Sequence, residues 1–143
     1  MFEGVVEVRE RLAVLVDRLD PDAVSGPTAR QLWAEFDRVE RLAAAGKTLL
    51  ARRVAVTHQP AKRGTRTAAE ELARTGGTST GAAQDAVTTS HRLPEQPKLA
   101  QALRGGQLSP AQAALISGAA AANPAAEARL VELAARVSIG ELR

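Results

Sequence analysis

At 143 residues the chain is long enough for one compact domain that buries roughly two-thirds of its unfolded surface. It has no Cys, which excludes disulfides, a thiolate nucleophile and zinc–cysteine sites. The net charge is only +3, so any basic surface must come from local clustering and not from the chain as a whole.

Val5, Val8, Leu12, Leu15 and Leu19 recur at three- and four-residue steps, one face of an amphipathic helix that Asp20-Pro21-Asp22 ends. Gly26-Pro27-Thr28 opens a second helix, with Pro27 near the first turn. Its apolar face runs Leu32, Phe36, Val39, Ala43, Gly46, Leu50 and Val54, with Leu42 and Leu49 beside it. That pattern lasts over three heptads, to about Thr57, before Gln59-Pro60. A helix of about 30 residues is about 45 Å long. The first two helices are expected to pack as an antiparallel, coiled-coil-like hairpin. Gly46 on the seam would let the backbones approach closely, at some cost in helix propensity.

Residues 58–66 form a basic connection. Thr67 can cap a short helix over 68–75, with Glu70 placed to complete a capping box, and Gly76-Gly77 stop it. Thr78 or Thr80 starts the next helix, which runs to about His91 before Leu93-Pro94. Pro94 and Pro97 bracket the start of a helix ending at Arg104. Gly105-Gly106 can take the left-handed geometry that closes it, and Ser109-Pro110 are the N-cap and first position of the following helix. That helix ends at Asn123-Pro124, and another runs over 125–136. Ser138-Ile139-Gly140-Glu141 reads as a capping box opening a helix that the chain leaves after two more residues, so the chain is expected to be a piece of a longer protein. No segment alternates like a strand for more than a few residues. The expected fold is all-α, six main helices and the start of a seventh. A long antiparallel hairpin leads into a bundle of short helices with helix-turn-helix-like joints, forming a single domain over 1–143.

The N-terminus carries Glu3, Glu7, Arg9 and Glu10 where a signal peptide needs a basic start and an unbroken apolar stretch. No run approaches the ~18 apolar residues of a membrane span. No membrane partner and a cytoplasmic location are the expectations. Alanine occurs 30 times, and 16 of the 19 basic residues are Arg. The first feature favours helices packed on small side chains. The second fits a GC-rich genome as well as it fits phosphate binding.

Residues 1–46 carry nine acids and six bases, and 67–143 carry seven of each. The excess sits in 47–66, where Lys47, Arg52, Arg53, Lys62, Arg63 and Arg66 occur with no acid. These six are the candidate nucleic-acid-binding residues. If all contacted duplex phosphates, log affinity would fall with log salt at a slope of about −5. A solvated helix end and loop is the plain alternative.

Other constellations carry less. Ala43-Ala44-Ala45-Gly46-Lys47-Thr48 imitates the end of a phosphate-binding loop, but Arg41 stands where that loop needs Gly, and a helix runs where it needs a strand and a turn. His58 and His91 sit at helix ends, where a cation suits the macrodipole, and no acid-rich motif makes them metal ligands. Glu70-Glu71 read as acids at a helix N-terminus. Residues 67–91 have the outline of a DNA-reading helix-turn-helix. Its second helix, however, offers Gln84 and hydroxyls, no Arg before Arg92, and Asp85, which phosphate would repel. Neither a catalytic set nor a metal or cofactor site is expected in this chain.

From residue 64 onward the order of signals resembles a known family. Gly64-Thr65-Arg66-Thr67 leads into Leu72-Ala73 and Thr75-Gly76, then Thr78, Ala82 and His91-Arg92-Leu93-Pro94. Leu99, Ala102-Leu103, Gly106, Leu108-Ser109, Gln112-Ala113 and Ile116 follow, and Leu133, Ser138 and Glu141-Leu142 close the chain. This pattern resembles the 13E12-repeat family, domain of unknown function 222, most specifically over 102–116. The resemblance implies a helical domain that usually precedes a C-terminal HNH nuclease module of a mobile-element protein, whose metal is held by His and Asp or Asn, often beside Cys pairs. Here there is no Cys, no His after His91 and no Asp after Asp85, so no catalytic residue carries over. The Trp that the family tends to carry near Glu71 is also absent. The expected function is a non-catalytic, HNH-endonuclease-associated domain that binds DNA or positions a nuclease. The alternative is a protein-interaction or dimerisation module, a homodimer through the long hairpin that touches no nucleic acid. A small helix-turn-helix regulator is a third class, disfavoured by the poor recognition helix.

Overall fold

Proline, glycine and small polar residues punctuate this chain, and its helices begin and end at them. The computed structural model describes residues 1–137 and 139–143, and of Arg63 the backbone alone. The fold is all-α, with no strand among the described residues. Helix α1 spans Phe2–Asp17, and Asp20 caps a short 3-10 turn at Pro21–Ala23, its carboxylate accepting from the Asp22 N–H at 3.0 Å. Helix α2 runs unbroken over Gly26–Val56, its first turn capped by the Ser25 hydroxyl, which accepts from Thr28 N–H at 3.2 Å. A single turn, α3, Pro60–Arg63, lies within the basic connection.

Helix α4, Ala68–Gly76, starts at Thr67, whose hydroxyl accepts from Glu70 N–H, and stops at Gly77 in the left-handed region at φ 63°. Helix α5, Thr80–Arg92, takes Ser79 as its cap, not Thr78 or Thr80, because only the Ser79 hydroxyl reaches the Ala82 N–H. A 3-10 turn at Leu93–Glu95 leads to α6, Pro97–Arg104, and then α7, Pro110–Ala122. The joint between these two is as the sequence suggests, with Gly106 alone at positive φ, 68°. Ser109 and Gln112 form a reciprocal capping box, at 3.2 and 2.9 Å. A turn at Pro124–Ala126 opens α8, Glu127–Ala134, and α9 is Ile139–Leu142. The expected Ser138 cap lies outside the described residues.

The chain divides into two compact units, 1–36 and 37–143. The first holds α1 and the start of α2 and has no buried residue. Leu12, Leu32 and Phe36 are half-buried, and Val5, Val8, Leu15 and Trp33 are exposed. The second unit has the core: Leu93, Leu99, Leu103, Leu108 and Ile116 pack with Ala45, Ala102, Ala113 and Ala134. Each fully buried Leu or Ile there contributes roughly 1.5–3 kcal/mol of transfer free energy. Buried polar groups are tied into this core. Gln112 donates to the Ala134 carbonyl at 3.1 Å, and Gln96 to the Ser117 carbonyl at 2.9 Å. Glu127 accepts from Leu99 N–H at 2.8 Å, which satisfies an otherwise unpaired donor in the first turn of α6.

One expectation about α2 is corrected. The sequence placed its packing seam along Leu32, Phe36, Val39, Ala43, Gly46, Leu50 and Val54. Leu32, Phe36 and Val54 of that face are half-buried, but the fully buried residues of α2 are Ala45, Thr48 and Ala51, on the other side of the helix. Val39, Ala43, Gly46 and Leu50 are exposed, and a Cβ at Gly46 would meet nothing within 4 Å. Small residues win the inner face because α2 is held close at three points. The Ser90 hydroxyl accepts from Arg52 N–H and lies 3.4 Å from the Leu49 carbonyl, Arg41 donates to the Gln107 carbonyl, and Gly106 comes so near that a Cβ there would sit 3.0 Å from Leu42.

Candidate nucleic-acid interface

The six candidate residues fall on three consecutive pieces of the second unit. Lys47, Arg52 and Arg53 lie on α2, Lys62 and Arg63 on the α3 turn, and Arg66 just before α4. Lys47, Arg52, Arg53, Lys62 and Arg66 are exposed. The Arg63 side chain is outside the described set.

The basic connection is fastened at both ends. The His58 side chain is only 8% exposed, with Nδ1 2.8 Å from Glu71 Oε2 and Nε2 3.1 Å from the Thr65 carbonyl. A carbonyl only accepts, so the Nε2 contact is a hydrogen bond in the tautomer that carries its hydrogen on Nε2. The ring therefore spans the connection and ties it to α4. Gly64 makes the turn at φ 68°, and Arg74 reaches its carbonyl at 3.5 Å.

Glu70 reaches one residue further back than a capping box requires. Its carboxylate accepts from Arg66 N–H at 2.8 Å and sits 3.6 Å from the Arg66 guanidinium. The Arg66 N–H holds the Glu70 carboxyl below the usual carboxylate range against the opposing effect of desolvation, with lesser help from the guanidinium charge and the Thr67 N–H. The segment is thus acid-free in sequence but not in space. Glu70 stands beside the exposed Arg66, and Glu71 faces His58. Lys47, Arg52, Arg53 and Lys62 have no ion-pair partner among the described residues.

Lys47 also stands at the rim of an open hollow of about 470 Å³ between α2, α4 and α5, lined mainly by apolar and small residues including Leu50, Val54, Leu72, Ala82 and Ala86. The helix-turn-helix outline at 67–91 is present as α4, a glycine turn and α5. The second helix spends Ala83, Val87, Thr89 and Ser90 on packing and exposes Gln84, Asp85 and His91. Gln84 bonds to Thr88 on its own helix at 3.3 Å. Such a surface offers little to a base edge, whose common readers are Arg, Asn and Gln. Residues Ala43–Thr48 run inside the continuous α2, so no phosphate-cradling loop forms there. Among the described residues no group of three or more His, Asp or Glu side chains could hold a metal ion. No helix there is long and apolar enough to cross a membrane.

Sequence reasoning missed Glu71, Thr65 and Ser90 as organisers of the region. Glu71 is 13 residues from its histidine and Ser90 is 38 residues from Arg52, separations at which no local spacing rule connects two side chains. Compared with family models, with curated proteins and with solved structures, the chain has no match.

Proposed function

We propose that this chain is a non-catalytic helical domain that contacts nucleic-acid phosphates through its basic segment, in the manner expected of a domain that accompanies an HNH nuclease. The observation that carries the reading is the set Lys47, Arg52, Arg53 and Lys62, exposed and without acid partners among the described residues, on a connection fixed by His58. Phosphate contacts of this kind position a protein on a duplex without reading its sequence. The resemblance of residues 64–142 to the 13E12-repeat family supports the same reading.

Fluorescence anisotropy with a labelled duplex tests it. Four phosphate contacts give a salt slope of about −4 on a log–log plot. The triple change Arg52→Ala, Arg53→Ala and Lys62→Ala should reduce that slope by about 3 and weaken binding to all sequences alike. No affinity at low salt, or an affinity indifferent to those three changes, removes the proposal.

A second reading has its own observation. Val39, Leu42 and Leu50 on α2 are large apolar side chains left open to solvent, as are Val5, Val8, Leu15 and Trp33 in the first unit. Exposed apolar side chains clustered on one helix mark association sites, so the α2 residues support a reading of the domain as a self-association module.

A further inference from the structure

Within the second unit, α2 shows two faces of different character. One is buried through Ala45, Thr48 and Ala51. The other runs Val39, Ala43, Gly46, Leu50 at four-, three- and four-residue steps, with Val39 37% and Leu50 62% exposed. That spacing is the heptad seam of a coiled coil, and it is left largely open to solvent, Leu50 alone of the four also edging the hollow beside α4 and α5. Gly46 is a further sign. Glycine weakens a helix interior, and a Cβ at this position would meet nothing within 4 Å among the described residues, so none of them requires glycine here.

The sizes along the seam are symmetric: large, small, small, large. An antiparallel second copy, related by a two-fold axis passing between residues 44 and 45, sets Val39 against Leu50 of the partner subunit and Ala43 against Gly46 of the partner subunit. The same contacts recur on the other side of the axis. The small residues let the two helices cross closely at the centre, and the large ones close the ends. Charge follows the same axis. Glu40 and Lys47 flank the seam on one side, both exposed and both without an ion-pair partner among the described residues. The antiparallel arrangement brings Glu40 beside Lys47 of the partner subunit, twice. A parallel pair would stack Gly46 on Gly46 and Leu50 on Leu50, and would leave Glu40 and the partner's Lys47 on opposite sides.

We propose that two copies of the chain pair through this face of α2 as an antiparallel contact centred between Ala44 and Ala45, closed by reciprocal Glu40–Lys47 ion pairs. The proposal rests on the reading of the domain as self-associating and names the surface and the register. It differs from association through the hairpin, because every residue it uses lies in the second unit. In the dimer Lys47 is engaged at the seam, so Arg52, Arg53 and Lys62 remain for phosphate and the slope of about −4 expected for four contacts becomes about −3. The two copies of Arg53 then stand about 25 Å apart along the helix axis.

Because the chain has no Cys, engineered ones report the register without background. Val39→Cys mixed with Leu50→Cys should give a mixed disulfide, while either variant alone gives none. By light scattering at high micromolar concentration the parent chain should be a dimer. Leu50→Glu should weaken it about tenfold or more, with unchanged helicity by circular dichroism because Leu50 is exposed. Glu40→Lys and Lys47→Glu should each weaken the dimer, and the two together should restore it. A parent chain that stays monomeric overturns both this pairing and the self-association reading. A dimer that ignores Leu50→Glu, or that crosslinks Val39→Cys to itself, overturns the pairing and leaves self-association standing through another surface.

Discussion

Residues 1–36 and residues 37–143 both carry amphipathic helical sequence, the first richer in valine and the second in alanine, and they differ in what their apolar faces meet. In the first unit no residue is buried, and Val5, Val8 and Leu15 each keep more than 60% of their surface. In the second, Leu99, Leu103, Leu108 and Ile116 keep 1% or less. The second unit can enclose a centre because several short helices converge on it. The first has one full helix and the opening turns of another, and two helices have no third layer to close over their seam. An amphipathic pattern therefore specifies a helix and a face, but the cover for that face depends on how many other elements reach it. The second half of α2 repeats the contrast within a single helix, with an enclosed face through Ala45, Thr48 and Ala51 and an open one through Val39 and Leu50.

Substitutions can break or sharpen this comparison. The largest expected effect is in the core: Leu103→Ala or Ile116→Ala should cost about 2–5 kcal/mol by chemical denaturation. The matched change Leu15→Ala should cost no more than about 0.5 kcal/mol at a concentration where the chain is monomeric. Equal losses at Leu103 and Leu15 would mean that the first unit has a core after all. Gly106→Ala comes next, at about 1–2 kcal/mol for the positive φ alone, and more because the new Cβ would lie 3.0 Å from Leu42.

Gly46→Ala separates the two faces of α2, since the site is open in the isolated chain. It should stabilise the monomer by about 0.5–1 kcal/mol while weakening any close helix–helix crossing at that point, and thermal melts across a concentration series would read both signs. Ser109→Ala should cost about 1 kcal/mol through loss of the capping box. The smallest effect concerns pH. The folded Glu70 carboxyl titrates below its usual range, so its contribution is fully present above the ordinary carboxylate pKa and is lost as pH falls through the lowered folded value. The protection of the Arg66 amide, its exchange rate relative to the intrinsic rate at the same pH, should therefore fall on acidification, and Glu70→Gln should abolish that dependence.

Much of the helix plan was legible. Asp20-Pro21, Thr67, Gly76-Gly77, Pro97 and Ser109-Pro110 act within a few residues of themselves through dihedral limits and capping bonds, so their effect could be stated from the sequence. The exception at Ser79 is of the same kind: three hydroxyl residues in a row, Thr78, Ser79 and Thr80, offered alternatives that only the geometry of the Ala82 N–H separates. The candidate interface was legible in part. The run of bases was plain, but the Arg66–Glu70 bond and the His58–Glu71 clamp depend on α4 folding back beside the connection.

The sequence by itself determined that this protein is all-α, where most of its helices start and stop, and that one short stretch concentrates positive charge. Those properties follow from local backbone preferences and from counting. Only the tertiary structure decided which side of α2 is enclosed, which bases keep their charge free of acid partners, and that residues 1–36 stay without a core. Each of these depends on contacts between residues far apart in the chain, and an apolar seam carries the same spacing whether its partner is a helix of the same chain, a second copy or water.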